Sequence, residues 1–123
     1  MTPGARLGAA AEILDRILSG EPADAALTRW ARASRFAGAG DRRPIRGHVF
    51  DGLRRRRSAA WVGGTETGRG LILGLLRQAG TDPAALFTGE GHAPPPPGPD
   101  ETGPLLDAAP DAVRFDCPDW LLP

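Results

Sequence analysis

Apolar residues recur every three or four positions in the first part of the chain, which is the spacing of helices that bury one face. A first helix is predicted over residues 3–19, where Gly20 supplies a natural stop. Its apolar stripe comprises Leu7, Ala10, Ala11, Leu14, Ile17 and Leu18. A second helix is predicted to begin at residue 22 or 24 and to end before the breaker at residues 38–40. Its stripe comprises Ala23, Leu27, Trp30, Ala31 and Ser34, which leaves Arg29 and Arg32 pointing outward.

The third amphipathic segment, residues 41–58, combines a thin apolar stripe with seven arginines. Asp41 is predicted to cap its N-terminus, and Pro44 is tolerated because it falls in the first turn. At about 3.6 residues per turn, one face carries Ile45, Val49, Gly52 and Leu53. The opposite face carries Arg43 and Arg54, and a flank carries Arg46, Phe50 and Arg57. Since four consecutive arginines cannot share one side of a helix, Arg56 is expected to extend past the end of the core.

A fourth helix is predicted after Thr65 or Thr67, and it ends at Gly80. Its apolar face carries Leu71, Ile72, Leu75 and Leu76. A short helical turn opens at Asp82-Pro83. Residues 92–104, HAPPPPGPDETGP, cannot form a helix because their prolines lack the backbone N–H and favour an extended conformation.

These patterns predict an all-α fold, a bundle of four to six helices followed by a proline-rich connector. Residues 1–91 are predicted to form the bundle, residues 92–104 the linker, and residues 105–123 a C-terminal segment. Within the last of these, residues 112–122 are expected to dock against another surface. The apolar side chains that need cover there are Val113, Phe115, Trp120 and Leu121.

Charge is segregated along a chain whose formal net charge is zero. Residues 29–57 contain ten arginines and two acidic residues, whereas residues 82–123 contain eight acidic residues and one arginine. A basic middle and an acidic end favour a surface that faces a polyanion. A single cysteine, Cys117, excludes an internal disulfide framework and is typical of a reducing compartment. The apolar stretches are too short to span a bilayer, so we expect a cytoplasmic protein without a membrane partner.

The chain has no motif that would carry catalysis by itself. Residues 63–70, GGTETGRG, approach the spacing of a phosphate-binding loop, but Arg69 and Gly70 replace the lysine and hydroxyl residue that such loops require. An inter-helix turn is the preferred interpretation. His48, His92 and Cys117 are too scattered to form a metal site. We therefore assign no catalytic, cofactor-binding or metal-binding residue.

The arginine-rich segment has three interpretations: a solvated helix face, a nucleic-acid contact, or a docking surface for another protein. A solvated face would rely on ion pairs such as Asp51 with Arg55, but one acid cannot balance four consecutive arginines. An anion would relieve this repulsion, and Phe50 offers an additional stacking surface. The candidate RNA-binding residues are Arg29, Arg32, Arg43, Arg46, Phe50, Arg54 and Arg57.

The segment from Ala5 to Ser58, and above all GDRRPIRGHVFDGLRRRRS, resembles the N-terminal region of bacterial rRNA cytosine carbon-5 methyltransferases of the Sun/Fmu (RsmB) type. TGRGLILGLLRQAGTDPAALFTGEGHAP resembles the alphaproteobacterial version of that region, and the terminal PDWLLP resembles the sequence that leads into the catalytic part. The resemblance implies a NusB-like helical RNA-binding domain.

By the same resemblance, the parent enzyme uses S-adenosylmethionine to methylate a 16S-type rRNA, and this chain holds the rRNA for a methyltransferase domain that it does not itself contain. This chain is then expected to bind no cofactor and to be inactive alone. Its expected partners are rRNA and the missing methyltransferase domain. The alternative is a NusB-like protein–protein interaction module of a transcription antitermination or ribosome-assembly factor.

Overall fold

The computed structural model describes residues 1–35 and 37–117, and this part of the chain contains six α-helices and no strand. The predicted all-α class is therefore confirmed. The helices are α1 (Pro3–Leu18), α2 (Ala23–Ala33), α3 (Ala39–Arg54), α4 (Arg56–Gly63), α5 (Gly68–Gln78) and α6 (Asp111–Arg114). Two short 3-10 helices lie at Pro83–Ala85 and Leu106–Ala108.

Helix α1 is the centre of the bundle, because it contacts α2, α3 and α5. It begins where the sequence predicts, with the hydroxyl of Thr2 accepting the Ala5 N–H at 3.1 Å. Ile13 is fully buried although the predicted apolar stripe omits it. A helix with neighbours on three sides buries more than one stripe. The largest fully buried side chains of the core are Ile13, Leu14, Ile45, Val49, Leu71, Ile72, Leu73 and Phe87.

Helix α3 begins earlier than predicted, and the assignment of Asp41 as its N-cap is wrong. Gly38 is the N-cap, and Asp41 is the third residue of the helix. The Asp41 carboxylate instead accepts hydrogen bonds from the Gly38 N–H at 3.4 Å and from Arg6 Nε at 3.0 Å. An acidic group in the first turn interacts favourably with the helix dipole, so Asp41 still stabilises this end. It also connects α3 to α1.

The single helix predicted over residues 41–58 is two helices in the structure. The chain bends at Arg55, which ends α3 and precedes α4. The physical reason is packing: α3 buries Ile45 and Val49 against α1, whereas α4 lies mainly against α5. One straight helix cannot cover both neighbours. Ser58, Ala59 and Val62 are consequently buried in α4.

Helices α4 and α5 approach each other so closely that two glycines are required where they meet. A Cβ atom on Gly74 would lie 1.9 Å from the Ala59 carbonyl oxygen, and one on Gly63 would lie 1.8 Å from that of Gly70. The GGTETGRG motif is the connection between these helices, as the inter-helix interpretation predicts. Its Thr67 caps α5 by accepting the Gly70 N–H at 3.0 Å.

Residues 92–104 contain no helix and run along the bundle. Glu101 accepts hydrogen bonds from Arg69 Nε at 2.6 Å and Nη2 at 2.9 Å, and this arginine lowers the pKa of Glu101 to about 2. Arg69 also donates to the Pro95 carbonyl at 2.9 Å. Downstream, α6 packs on α4. Trp120 and Leu121, two of the four apolar residues predicted to need cover, lie outside the described residues.

Candidate nucleic-acid interface

A groove separates the exposed sides of α2 and α3, and arginines from both helices line it. One part, with a volume of about 510 Å³, is lined by Thr28, Ala31, Arg32, Arg35 and Arg42. An adjoining part of about 200 Å³ shares Thr28, Ala31 and Arg42 with the first and adds Leu27, Trp30, Ile45 and Arg46. We refer to both parts together as the α2–α3 groove. Its floor is apolar and its rim is cationic.

Four arginines that line this groove, together with Arg43 beside Arg42 in the sequence, are exposed and have no acidic partner among the described residues. They are Arg32, Arg35, Arg42, Arg43 and Arg46. Among residues 1–35 and 37–117, none of these five guanidinium groups forms an ion pair with a carboxylate. Like charges at neighbouring positions repel one another, and a bound polyanion removes that repulsion.

Arg46 and Phe50 form an arginine–aromatic contact beside this groove. The guanidinium carbon of Arg46 lies 4.9 Å from the centroid of the Phe50 ring, within the range of a cation–π interaction. The two residues are one helical turn apart, so the contact follows from the periodicity of α3. Arg46 is exposed, and its guanidinium plane is available for stacking.

The four consecutive arginines, Arg54 to Arg57, form what we call the arginine run, and each of them has a partner within the protein. Arg54 pairs with Asp51, and Arg55 donates to Gln78 Oε1. Arg56 donates to Glu66 through Nε at 2.6 Å, and Arg57 donates to the Cys117 carbonyl at 2.7 Å. Asp51 does not pair with Arg55, the kind of ion pair on which a solvated helix face would rely. The i,i+3 neighbour Arg54 is the partner of Asp51, because the chain bends at Arg55.

The predicted RNA-binding residues consequently separate into two groups. Arg32 and Arg46 line the α2–α3 groove, and Phe50 contacts Arg46 beside it. Arg43 is exposed on α3 but does not line the groove. Arg54 and Arg57 belong to the arginine run, and Arg57 does not share a flank with Arg46 and Phe50 because it lies beyond the bend. Arg29 is exposed on α2 as predicted, and its guanidinium lies 3.2 Å from the Glu21 carboxylate.

Sequence reasoning omitted two arginines that line the groove, Arg35 and Arg42. Arg35 follows the last turn of α2, and Arg42 lies in the first turn of α3. Helical periodicity does not predict where the side chains of Arg35 and Arg42 lie, because this depends on how the connection between α2 and α3 brings the ends of the two helices together. The signal available in the sequence was charge alone, since residues 29–46 contain six arginines and one acidic residue.

The acidic residue of this region does not neutralise the groove. The hydrogen bond from Arg6 is the main effect that lowers the pKa of Asp41, and the N-terminal amine, 3.4 Å away, adds to it. The Asp41 carboxylate is therefore ionised at neutral pH, but it binds Arg6 and the N-terminal amine and not the groove arginines. His48, on the same helix, is half-buried, and burial is the main effect that lowers its pKa. A histidine that is neutral near pH 7 adds no positive charge here.

Other chemistry is sparse among the described residues. No group of three or more His, Cys, Asp or Glu side chains in residues 1–35 and 37–117 is arranged to hold a metal ion. Cys117 is a free thiol whose Sγ donates to the Phe115 carbonyl at 3.4 Å. In the same part of the chain, no helix has both the length and the apolar character needed to cross a bilayer.

Comparison of the chain with protein-family models, with curated proteins and with solved structures finds no match. The resemblance of residues 5–58 to the Sun/Fmu leader region therefore stays a prediction. The function of the chain has to be argued from the α2–α3 groove itself.

Proposed function

We propose that this chain is an RNA-binding domain and that the α2–α3 groove is its RNA contact. The observation that carries this proposal is the set of five exposed arginines without an acidic partner among the described residues. Proteins that bind RNA neutralise backbone phosphates with arginine and lysine, and the release of counterions drives the binding. Arginine suits this task because its planar guanidinium bonds phosphate through two N–H groups.

The apolar floor of the groove and the Arg46–Phe50 contact support RNA over a simple anion. Ribose and base edges have apolar surface, which the apolar floor of the groove can contact and a cationic rim cannot. Arginine planes and phenylalanine rings stack on unpaired bases. Phosphate contacts at Arg42 and Arg32 would then position the backbone, while the contact at Arg46 would favour an unstacked base.

Within this proposal, the chain is the accessory domain of an S-adenosylmethionine-dependent rRNA cytosine-5 methyltransferase. It would hold rRNA for a catalytic domain outside these residues. The support for this part is the resemblance of Ala5 to Ser58 to the leader of such enzymes. The cofactor would be bound by the catalytic domain, since we assign no cofactor-binding residue to this chain.

The test compares two double variants that each remove two positive charges. Arg42→Gln with Arg46→Gln changes the groove, and Arg54→Gln with Arg56→Gln changes the arginine run. Fluorescence anisotropy with a labelled RNA oligonucleotide of mixed sequence is recorded at several salt concentrations. We expect the groove variant to flatten the slope of log affinity against log salt by roughly 0.7 to 0.9 for each phosphate that the protein no longer neutralises.

The run variant is expected to keep the wild-type slope, because Arg54 and Arg56 are engaged by carboxylates. Circular dichroism should show the same helix content in both variants, since all four side chains are exposed. An equal weakening of RNA binding in the two variants would indicate attraction by net charge and not a groove contact. Unchanged binding in both would favour the protein–protein alternative.

A further inference from the structure

A second surface, formed by α4, α5 and the segment after Gly103, holds a large apolar side chain in solvent. Leu105 is 79% exposed, the highest value among the large hydrophobic residues of the described chain. Its backbone is nevertheless held in place, because Trp61 Nε1 donates to the Leu105 carbonyl at 3.0 Å. An apolar side chain on a fixed backbone loses little conformational entropy when a partner covers it.

Leu105 stands at the edge of a groove of about 420 Å³. Val62 and Leu106 provide further apolar wall, and Arg55, Arg77 and Gln78 form the other side. We refer to this as the Leu105 groove. Its volume is in the range of sites that bind ligands or anchor side chains. It shares no lining residue with the α2–α3 groove.

The arginines of the Leu105 groove donate their hydrogen bonds to uncharged acceptors. Arg55 donates to Gln78 Oε1, and Arg77 donates to the carbonyl oxygens of Val62, at 3.1 Å, and of Glu101. The carboxylate of Glu101 is bonded to Arg69. Among the described residues, these two positive charges thus lie beside an apolar wall without a directly paired carboxylate, although the charge of Arg77 also helps to lower the pKa of Glu101. A partner that complements this surface combines an aliphatic side chain with a carboxylate.

We propose that the Leu105 groove is a docking site for an acidic amphipathic peptide segment of another protein. An aliphatic anchor of that segment covers Leu105 and enters the groove beside Val62 and Leu106. An aspartate or glutamate of the segment pairs with Arg55 or Arg77. This interaction goes beyond RNA binding and does not depend on it.

The experiment selects the partner chemistry without assuming a sequence. A displayed library of random peptides is panned against the immobilised full chain, and an enriched peptide is synthesised and its affinity measured by fluorescence anisotropy. We expect enriched peptides to combine leucine, isoleucine or phenylalanine with aspartate or glutamate. Leu105→Ser should weaken binding of that peptide about tenfold or more. The reason is that burying a leucine side chain contributes enough free energy to change a dissociation constant about tenfold.

The matched control is Phe115→Ser, because Phe115 is also a large exposed side chain, 59% exposed, and does not line the groove. It should leave the affinity unchanged. Arg55→Gln, checked for helix content by circular dichroism, should weaken binding and reduce its dependence on salt.

The proposal is overturned if no peptide is enriched, if the enriched peptides are basic, or if Leu105→Ser and Phe115→Ser act alike. It is also overturned if sedimentation shows that the groove pairs two copies of this chain. Each of these results leaves the RNA-binding proposal intact, because the variants at the α2–α3 groove are measured separately.

Discussion

The arginines of the α2–α3 groove and those of the arginine run have the same chemistry and opposite situations in the protein. The run is the denser cluster in the sequence, yet Arg54 and Arg56 face carboxylates and Arg57 donates to the Cys117 carbonyl. The groove arginines come from two helices and are spread over residues 32–46, yet they are exposed and unpaired within the described residues. Local density of charge is thus a poor guide to which charges lack an acidic partner among the described residues. The carboxylate and carbonyl acceptors that the fold places near each arginine decide whether it is paired.

The largest expected difference between the two regions is in stability. Asp116 accepts hydrogen bonds from the Ser58 backbone N–H at 2.8 Å and from the Ser58 hydroxyl at 2.6 Å, directly after the arginine run. Ser58 is 1% exposed, so Asp116→Ala leaves buried donors without this acceptor. We expect the free energy of unfolding, measured in urea, to fall by about 1–3 kcal/mol.

The control is Arg42→Ala in the groove, which should change that free energy by no more than about 0.5 kcal/mol. Asp116→Asn should recover part of the stability, because the amide oxygen still accepts and asparagine tolerates the left-handed backbone (φ 53°) at this position. Similar decreases in the free energy of unfolding for Asp116→Ala and Arg42→Ala would contradict the view that the region of the arginine run, and not the groove, stabilises the fold.

A smaller effect is expected when the run is released from its carboxylates. Asp51→Asn with Glu66→Gln frees Arg54 and Arg56 while leaving every arginine in place. If these two carboxylates are what prevents the arginine run from binding RNA phosphates, the variant should neutralise further phosphates. The slope of log affinity against log salt should then become steeper by roughly 0.7 to 0.9 for each of them.

The matched variant for this release is Glu90→Gln with Asp100→Asn, which adds the same net charge at exposed positions whose carboxylates form no ion pair among the described residues. It should leave the slope near the wild-type value. Equal steepening in both variants would show that total charge, and not the pairing of the run, governs binding.

The smallest effect concerns acid pH at the beginning of α3, next to the groove. The hydrogen bond from Arg6 lowers the pKa of Asp41 below its ordinary value of 3.8. A carboxyl with a lowered folded-state pKa contributes stability that is fully present above 3.8 and is lost as the pH falls through the folded value.

Urea unfolding at a series of acid pH values should therefore show a decrease in stability in the wild type that is smaller in Asp41→Asn. Glu101, whose pKa is also lowered, contributes to the decrease in both proteins and cancels in the comparison. An identical acid dependence in the two proteins would show that Asp41 does not stabilise the α1–α3 contact.

Local pattern predicted most of the helices. The bounds of α1 and the burial of Ile45 and Val49 follow from apolar spacing and from residues that cap helices. The cap of α5 is Thr67, one of the two threonines between which the sequence left the choice open. The extra burial of Ile13 does not, because it depends on neighbours that are distant in sequence. The separate helix α4 was missed for a related reason, since its short apolar stripe is buried mainly by the surface of α5.

The candidate site was predicted in part. The basic character of residues 29–57, and the membership of Arg32, Arg43, Arg46 and Phe50 in the candidate surface, came from composition and periodicity. Arg35 and Arg42 were missed because both lie at helix ends, where side-chain direction depends on the connection between α2 and α3.

The sequence by itself determined the helical class, the positions of the main helices and the amount of positive charge in the middle of the chain, because these depend on residue type and near neighbours. The tertiary structure decided which of those charges have a partner among the described residues. Glu66, Gln78 and Cys117 reach the arginine run only when the chain bends at Arg55 and α4, α5 and α6 pack together. Hydrogen bonds between residues far apart in sequence require a folded chain, and no local pattern encodes them.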